Sequence, residues 1–236
     1  MPNSTWPSIH AKKMRLTKLD GCGQPITTAG NKSMLVTKGI VKVSLTAEYE
    51  DGEDTVKKDG NGDICVQHKD PDQLKYMAPE IEFCGVDPEA WAMITGQDVV
   101  TDGAANAVGI ALGSQPIEAN FALELWTDVP GAACGASGFQ PFGYWLIPFI
   151  GSGRLGDVEL SVSAAEFTLS AQTKPGNGWA SGPYNVVRDE TDVAVPLLTG
   201  LKSSHHIWFQ QTTVAPPEPT DGAVELTAGE TDPENP

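Results

Sequence analysis

The sequence predicts a mainly β protein, an antiparallel β-sandwich or barrel with one short flanking α-helix. Three observations support this fold class. Short segments in which apolar and polar residues alternate recur along the chain, which is typical of half-buried strands. The 25 glycines and 18 prolines suit many short strands joined by turns. A helical pattern occurs at one place only, and 236 residues suffice for one large β domain.

Strand signals begin near Met14 and continue to about residue 214. Met14 and Leu16 alternate with polar residues, and residues 33–46 contain one or two further strands. Residues 144–150 form a nearly continuous apolar run, which predicts a buried strand with an edge or bulge at Pro148. These segments define the predicted β domain.

Residues 74–102 join the clearest strand signal to the helix signal. Asp87 is a favourable N-cap, and Pro88 suits the first helical position because that residue needs no amide donor. Trp91 and Ile94 lie three residues apart on one helix face. A helix this short is marginal alone, so we expect Trp91 to anchor it on the sheet.

Composition divides the chain into three parts. Residues 1–13 are predicted to be a loose N-terminal arm, and residues 14–214 are predicted to form the β domain. Within that domain, residues 47–63 are charged and contain the turn dipeptide Asn-Gly, which predicts a projecting, exposed hairpin. Residues 215–236 carry six acidic and no basic side chains and many prolines. Such a composition predicts a flexible acidic tail.

The net charge of −16 is unevenly distributed. Residues 1–80 hold eleven basic and eleven acidic side chains, and the remainder holds four basic and twenty acidic ones. A protein that binds nucleic acid needs clustered Lys and Arg, so this charge distribution argues against that class and is typical of an acidic protein that uses charge for solubility. Neither a signal-peptide core nor an apolar run of membrane-spanning length is present, which predicts synthesis in the cytoplasm and no membrane partner.

The four cysteines have no CxxC spacing. Their wide separation does not fit a zinc finger. In a chain without a signal peptide, buried reduced thiols are favoured, and one disulfide formed after release from the cell stays open. The four positions are Cys22, Cys65, Cys84 and Cys134.

Two glycine-rich motifs have structural explanations. Residues 151–156 match GxGxxG, but strand-like residues follow, so a hairpin loop is favoured over a dinucleotide site, which needs a helix there. Residues 59–63 resemble the first half of a calcium loop, yet Asp70 stands where the bidentate Glu belongs. His205 and His206 are adjacent and point to opposite faces of a strand, so one metal ion would rarely bind both.

No catalytic motif is present. The chain has neither a GxSxG elbow nor an HExxH helix. Cys84 follows an apolar strand without an evident histidine partner, so a core thiol is favoured over a nucleophile. No carboxylate pair is marked as lying in an apolar pocket, which leaves a glycosidase without support. We therefore expect a protein that is not an enzyme and binds no cofactor or metal.

The chain resembles the major tail tube proteins of long-tailed, siphovirus-type phages that infect actinobacteria. The resemblance covers most of residues 14–217 as an ordered set of segments. No counterpart is assigned beyond Pro217. The segments are MRLTKLDGCGQP, VTKGIVKV, IEFCGVDPEAWAMITG, DGAANAVG, LELWTDV, FGYWLIPF and TTVAPP.

The resemblance implies a structural virion protein made in the host cytoplasm. Six copies would close into a ring, and rings would stack into a tube around a tape-measure protein between tail initiator and terminator proteins. Viral DNA would later pass through the acidic lumen without specific binding, because phosphates find no cations there. The projecting hairpin would contact a neighbouring ring or subunit. Its predicted contact residues are Glu48, Glu50, Asp51, Glu53 and Asp54.

An alternative from another class is a β-sandwich binding module. It would be a virion decoration or carbohydrate-binding domain with Trp179 and Tyr184 as an exposed aromatic platform, although Trp179 between small residues equally suits a loop anchor. Self-assembly distinguishes the tube subunit from this module.

Overall fold

The computed structural model describes residues 6–83, 85, 87–114, 116–130, 138–159 and 166–226. These residues form fifteen β-strands and one α-helix, which confirms the mainly β class. The elements are β1 (Ile9–Lys18), β2 (Lys32–Thr37), β3 (Ile40–Glu50), β4 (Asp54–Lys58), β5 (Ile64–Lys69), β6 (Gln73–Phe83), α1 (Pro88–Thr95), β7 (Asp98–Thr101), β8 (Ala107–Ala111), β9 (Asn120–Asp128), β10 (Phe142–Glu159), β11 (Glu166–Thr173), β12 (Val187–Arg188), β13 (Ala194–Val195), β14 (Trp208–Thr212) and β15 (Val224–Glu225).

Nine strands form one antiparallel sheet in the order β15-β2-β1-β9-β10-β11-β6-β3, with β14 paired to β10 outside this order. Strand β10 has 18 residues and is the centre of the sheet. One side of β10 pairs with β9. The other side pairs first with β14 and then with β11. Three two-stranded hairpins, β4-β5, β7-β8 and β12-β13, extend from this body.

The central strands are buried on both faces. In β9, Phe121, Leu123 and Leu125 belong to a core cluster with Trp91 of α1. Trp126 belongs to a second cluster on the opposite face of the strand. Residues 174–207, which we call the cover segment, close that second face with six buried apolar residues. These are Trp179, Tyr184, Val186, Val187, Leu197 and Leu201.

The first strand begins earlier than the expected boundary after residue 13. Strand β1 starts at Ile9 because β9 continues to Asp128 and offers backbone partners to residues 9–13. Lys12 of this segment forms an ion pair with Asp128 at 2.9 Å. The prediction of a loose N-terminal arm is therefore wrong for residues 9–13. Residues 1–5 lie outside the described residues.

The expected flexible tail from residue 215 is also wrong for its first half. Residues 215–226, which we call the strap, lie along β2 and end in β15. Ala223 and Leu226 of the strap are buried. The acidic, proline-rich composition predicted disorder, but this part of the chain is ordered because it pairs with β2 and buries two apolar side chains. Residues 227–236 lie outside the described residues.

The GxGxxG motif is inside β10 and not in the expected hairpin loop. Ser152 has a φ of 58°, and the pairing of β10 with β9 shifts register nearby, so the glycines accompany an irregularity in a continuous strand. Gly153 lies against Ile94, where a Cβ would meet the carbonyl oxygen. The small residues therefore allow the helix to approach the strand.

Candidate assembly surface

A long hairpin leaves the body between β3 and β6. We call residues 47–75 the arm. Every residue of the arm is exposed or half-buried. Its tip is a tight turn in which the carboxylate of Asp59 accepts hydrogen bonds from the amides of Asn61 at 2.9 Å and Asp63 at 3.0 Å. The segment predicted to project, residues 47–63, thus forms the outgoing half of a longer ribbon.

The outgoing and returning halves of the arm stay connected where β3 gives way to β4. The Gly52 amide donates to the carboxylate of Asp72 at 2.9 Å, and the Asp70 amide donates to the carbonyl of Glu53 at 3.0 Å. The hydrogen bond from Gly52 is the largest cause that lowers the pKa of Asp72, followed by the charge of Lys69. The arm is therefore one continuous two-stranded ribbon.

The predicted contact carboxylates lie on this ribbon. Glu50 forms an ion pair with Lys75 at 2.8 Å, and the hydrogen bond from Lys75 lowers the pKa of Glu50. The other four predicted contact residues are exposed and have no ion-pair partner among the described residues. They are Glu48, Asp51, Glu53 and Asp54. The structure places all five together, and their role in contacts between copies stays a prediction.

An apolar stripe runs from the core onto the arm. The register of β3 and β6 pairs Val43 with Ile81 at the body and Tyr49 with Leu74 on the arm. Between them, Leu45 pairs with Pro79 and Ala47 with Met77. Ile81 is 1% exposed, whereas Tyr49 is 63% and Leu74 37% exposed. Alternation keeps Val43, Leu45, Ala47 and Tyr49 on one face of β3, and a register shift between Glu48 and Tyr49 brings Leu74 opposite Tyr49. The face that packs inside the body therefore continues into solvent. Further exposed apolar side chains towards the tip are Val56, Ile64 and Val66.

The same stripe borders an open sheet edge. Strand β3 is the last strand of the sheet order, and no strand of the described residues pairs with its outer side. It is eleven residues long. An edge of this length offers unpaired backbone donors and acceptors to another chain. The arm and the edge therefore form a single candidate surface for association.

The helix α1 lies where the sequence predicts. The carboxylate of Asp87 accepts hydrogen bonds from the amides of Glu89 and Ala90, both at 3.1 Å. Trp91 is 4% exposed and meets the Phe167 ring edge-on at 5.1 Å between centroids. Ile94 is fully buried. These contacts fix the helix to the body, away from the arm.

A buried polar cluster in the body was not predicted from the sequence. Arg15 donates from Nε and Nη2 to both carboxylate oxygens of Glu124, at 2.6 and 2.8 Å. Tyr144 donates to Glu124 at 2.7 Å, and the Arg15 guanidinium lies 3.3 Å from the ring centroid of Tyr184. Thr17 and Tyr184 share a hydrogen bond of 2.8 Å. The cluster joins β1, β9 and β10 to the cover segment.

The charges of this cluster are mutually compensated. Burial lowers the pKa of Arg15, but Glu124 outweighs it and raises that pKa above its ordinary value. Burial, then Glu124, raises the pKa of the Tyr144 phenol. The sequence signal that was overlooked is Glu124 itself, a charge inside the apolar strand FALELW.

The aromatic platform of the alternative function is contradicted. Trp179 and Tyr184 are each 4% exposed and belong to the core under the cover segment. Their rings lie 6.1 Å apart, and Arg15 covers Tyr184. An exposed aromatic residue occurs elsewhere, at Phe209, which stacks on Trp145 at 5.0 Å. Trp179 is thus the loop anchor that the sequence also suggested.

The candidate metal ligands do not converge. Among the described residues no group of three His, Cys, Asp or Glu side chains is arranged to hold a metal ion. Nδ1 of His206 is hydrogen-bonded to the Thr173 hydroxyl at 2.7 Å, and His205 accepts from the Lys202 amide at 3.2 Å. The carboxylate of Asp59 caps its own turn.

Two of the four cysteines differ from the expected buried thiols. Cys22 and Cys65 are free and exposed. Cys22 lies in a turn capped by Asp20, and Cys65 lies on the arm, where no core covers it. Cys84 and Cys134 lie outside the described residues.

No protein-family model matches the chain, and no curated protein matches it significantly. Within the part of the chain that the structure describes, no helix is long and apolar enough to cross a membrane.

Proposed function

We propose that this chain is a structural subunit that assembles with copies of itself. The observation that carries the proposal is the apolar stripe of the arm, which continues the core face into solvent beside the open edge of β3. Isolated two-stranded ribbons are marginally stable in water, so a long ribbon with exposed Tyr49, Ile64 and Leu74 gains stability when another surface covers it.

Within this class, the proposed role is that of a phage tail tube protein. The support is the ordered set of sequence segments that resembles this family, together with an antiparallel β body, a short flanking helix and a projecting arm. Copies would form rings, hexameric by the resemblance, that stack into a virion tail tube for genome delivery. The partners would be other copies, the tape-measure protein and the tail initiator and terminator proteins.

The acidic surface suits such a conduit. The net charge of −16 repels phosphates, so DNA would pass through without specific binding. The arm would contact the neighbouring ring or subunit through its apolar stripe, with the four unpaired carboxylates at its base setting the register.

The test is assembly of the purified protein, followed by electron microscopy and size-exclusion chromatography at rising concentration. The wild-type protein should form rings or hollow tubes. A double variant, Tyr49→Ser with Leu74→Ser, should keep its melting temperature and remain monomeric, because both side chains are exposed in the monomer.

A matched control changes two exposed apolar residues far from the arm. Val193 and Leu198 are 56% and 71% exposed. The variant Val193→Ser with Leu198→Ser should assemble like the wild type. A wild-type protein that stays monomeric at every concentration, or an arm variant that assembles normally, would contradict the proposal.

A further inference from the structure

The outer edge of β2 is fully occupied by the strap. The Val36 amide donates to the Thr220 hydroxyl at 3.0 Å, and the Thr220 amide donates to the Val36 carbonyl at 3.0 Å. Further along, Val224 pairs with Met34 and Glu225 lies opposite Lys32. The backbone N–H and C=O groups of every second residue of β2 point to this side. The strap therefore lies opposite all three of these residues, Lys32, Met34 and Val36. Thr220 thus bonds to β2 at Val36, and the two residues of β15 pair with the rest of this edge.

The strap is held in this position mainly by carboxylates. Glu89 accepts from the Ala223 amide at 2.6 Å and from Lys32 at 2.9 Å. Glu218 forms an ion pair with Lys13 at 2.9 Å, and Glu225 accepts from the Gly30 amide at 2.9 Å. These contacts tie the strap to the helix, to β1 and to the loop before β2. Two of the acidic residues that predicted a free tail, Glu218 and Glu225, therefore help to attach the segment.

The two ends of the sheet differ in consequence. At one end, β3 has an open edge of eleven residues. At the other end, β2 has six residues, four of them buried in sequence, and its edge is covered. An uncovered strand of this kind would accept another strand by backbone pairing.

We propose that the outer edge of β2 is a strand-addition site for the open β3 edge of a second copy, and that the strap occupies this site within the chain. The strap thereby restricts strand addition to β3. Pairing of β2 with β3 would join opposite ends of the same sheet, which is a head-to-tail contact that gives rings or open-ended filaments, depending on the rotation between copies. A sealed β2 prevents such association in a protein whose other edge is available.

A second copy suits the β2 edge because the sheet itself carries the complementary strand. Among the described residues, β3 is the long strand whose outer side is unpaired, and it is present at the same concentration as β2. Sealing of β2 is a property of the monomer and is measured at a different edge from the arm, so it is independent of the proposed tube.

The experiment uses the full chain with a released strap. The double variant Thr220→Val with Ala223→Pro removes the hydroxyl that accepts from Val36 and the amide that donates to Glu89. Hydrogen exchange of the Val36 amide should become at least about tenfold faster. In sedimentation velocity the variant should form oligomers at concentrations at which the wild-type protein is still monomeric. An excess of a synthetic peptide of residues 215–226 should return it to the wild-type distribution. Thr220→Ser keeps the hydroxyl and should match the wild type.

Unchanged exchange at Val36 would overturn the inference, as would a variant with fast exchange at Val36 and wild-type sedimentation at every concentration. Oligomers that the peptide does not reverse would also overturn it, since they would not form through the vacated edge. If the double variant loses its circular dichroism spectrum, Thr220→Val alone decides, because it leaves the Glu89 contacts in place. Equal exchange at Val36 in that variant and in Thr220→Ser would then contradict the sealing role.

Discussion

The arm and the central strands of the body are built from the same antiparallel pairing and have opposite environments. In β9, six consecutive residues from Phe121 to Trp126 are buried. In β5, all six residues from Ile64 to Lys69 are exposed. The body has layers on both faces of its sheet, whereas the arm has backbone hydrogen bonds and a capped turn but no core of its own. Stability therefore resides in the body, and the surface available for association resides in the arm.

Their ion pairs show the same difference. The Arg15–Glu124 pair is buried and is further satisfied by Tyr144. The Glu50–Lys75 pair of the arm is open to solvent. When a buried ion pair loses one partner, the other charge is left unpaired in a low-dielectric interior. A charge that loses its partner at the surface is hydrated by water and screened by salt.

The largest expected effect is therefore from Glu124→Ala. Removing this carboxylate leaves the Arg15 guanidinium buried without its counter-ion and should cost about 3 to 5 kcal/mol of unfolding free energy. Urea denaturation monitored by circular dichroism measures the loss. The arm control is Lys75→Ala, which should leave the denaturation midpoint unchanged. Equal effects of the two variants would contradict the distinction between body and arm.

Aromatic truncation should separate the two regions next. Trp91→Ala opens a cavity under α1 and should cost about 3 kcal/mol. This lies at the low end for tryptophan because its buried Nε1 has no hydrogen-bond acceptor among the described residues. Tyr49→Ala on the arm removes a side chain that is 63% exposed and should leave the melting temperature unchanged. A Trp91→Ala protein with the wild-type melting temperature would refute the role of Trp91 as the helix anchor.

A glycine pair gives a smaller contrast. Gly153→Ala places a Cβ against the carbonyl oxygen of Ile94 and should cost about 2 kcal/mol through displacement of the helix. Gly60→Ala at the tip of the arm has open space around the new Cβ, so its effect should be neutral or slightly stabilising. Thermal unfolding of both variants measures the difference. If Gly153→Ala were also neutral, the close approach of helix and strand would be incorrect.

The smallest effect is the acid response of the arm. The Gly52 amide and then Lys69 hold the pKa of Asp72 below its ordinary value of 3.8. A lowered folded pKa means that this carboxylate stabilises the arm above pH 3.8, and that the contribution is lost as the pH falls through the lower, folded value. The chemical shift of the Gly52 amide should follow this titration by NMR, and Asp72→Asn should abolish the response. A Gly52 shift that titrates equally in Asp72→Asn would show another cause.

Local chemistry explains why part of the structure was predictable. Asp87, Pro88 and Gly96 define the ends of α1 because capping depends on a few neighbouring amides. The turn at Asp59 forms because its carboxylate satisfies amides two and four residues away. The charged hairpin was likewise predictable as an exposed element, since its residues cannot form a core.

Long-range packing explains which features of the structure could not be predicted from the sequence. Arg15 and Thr17 alternate with Met14 and Leu16, a pattern typical of a half-buried strand, but both are buried. Tyr184 of the cover segment, more than 160 positions later in the chain, contacts both of them. The GxGxxG residues were expected to form a hairpin loop because strand-like residues follow them. The sequence does not show that Gly153 lies against Ile94 of the distant helix, which requires a small residue inside the strand.

The sequence by itself determined the β class, the helix with its caps and the exposed arm, because periodicity and turn chemistry act over a few residues. Only the tertiary structure decided which strand edges are open and which polar residues are buried. The strap shows the reason most clearly. Its composition is that of a disordered tail, and it becomes ordered because β2, Glu89 and Lys13, which are distant in sequence, are brought together by the rest of the fold.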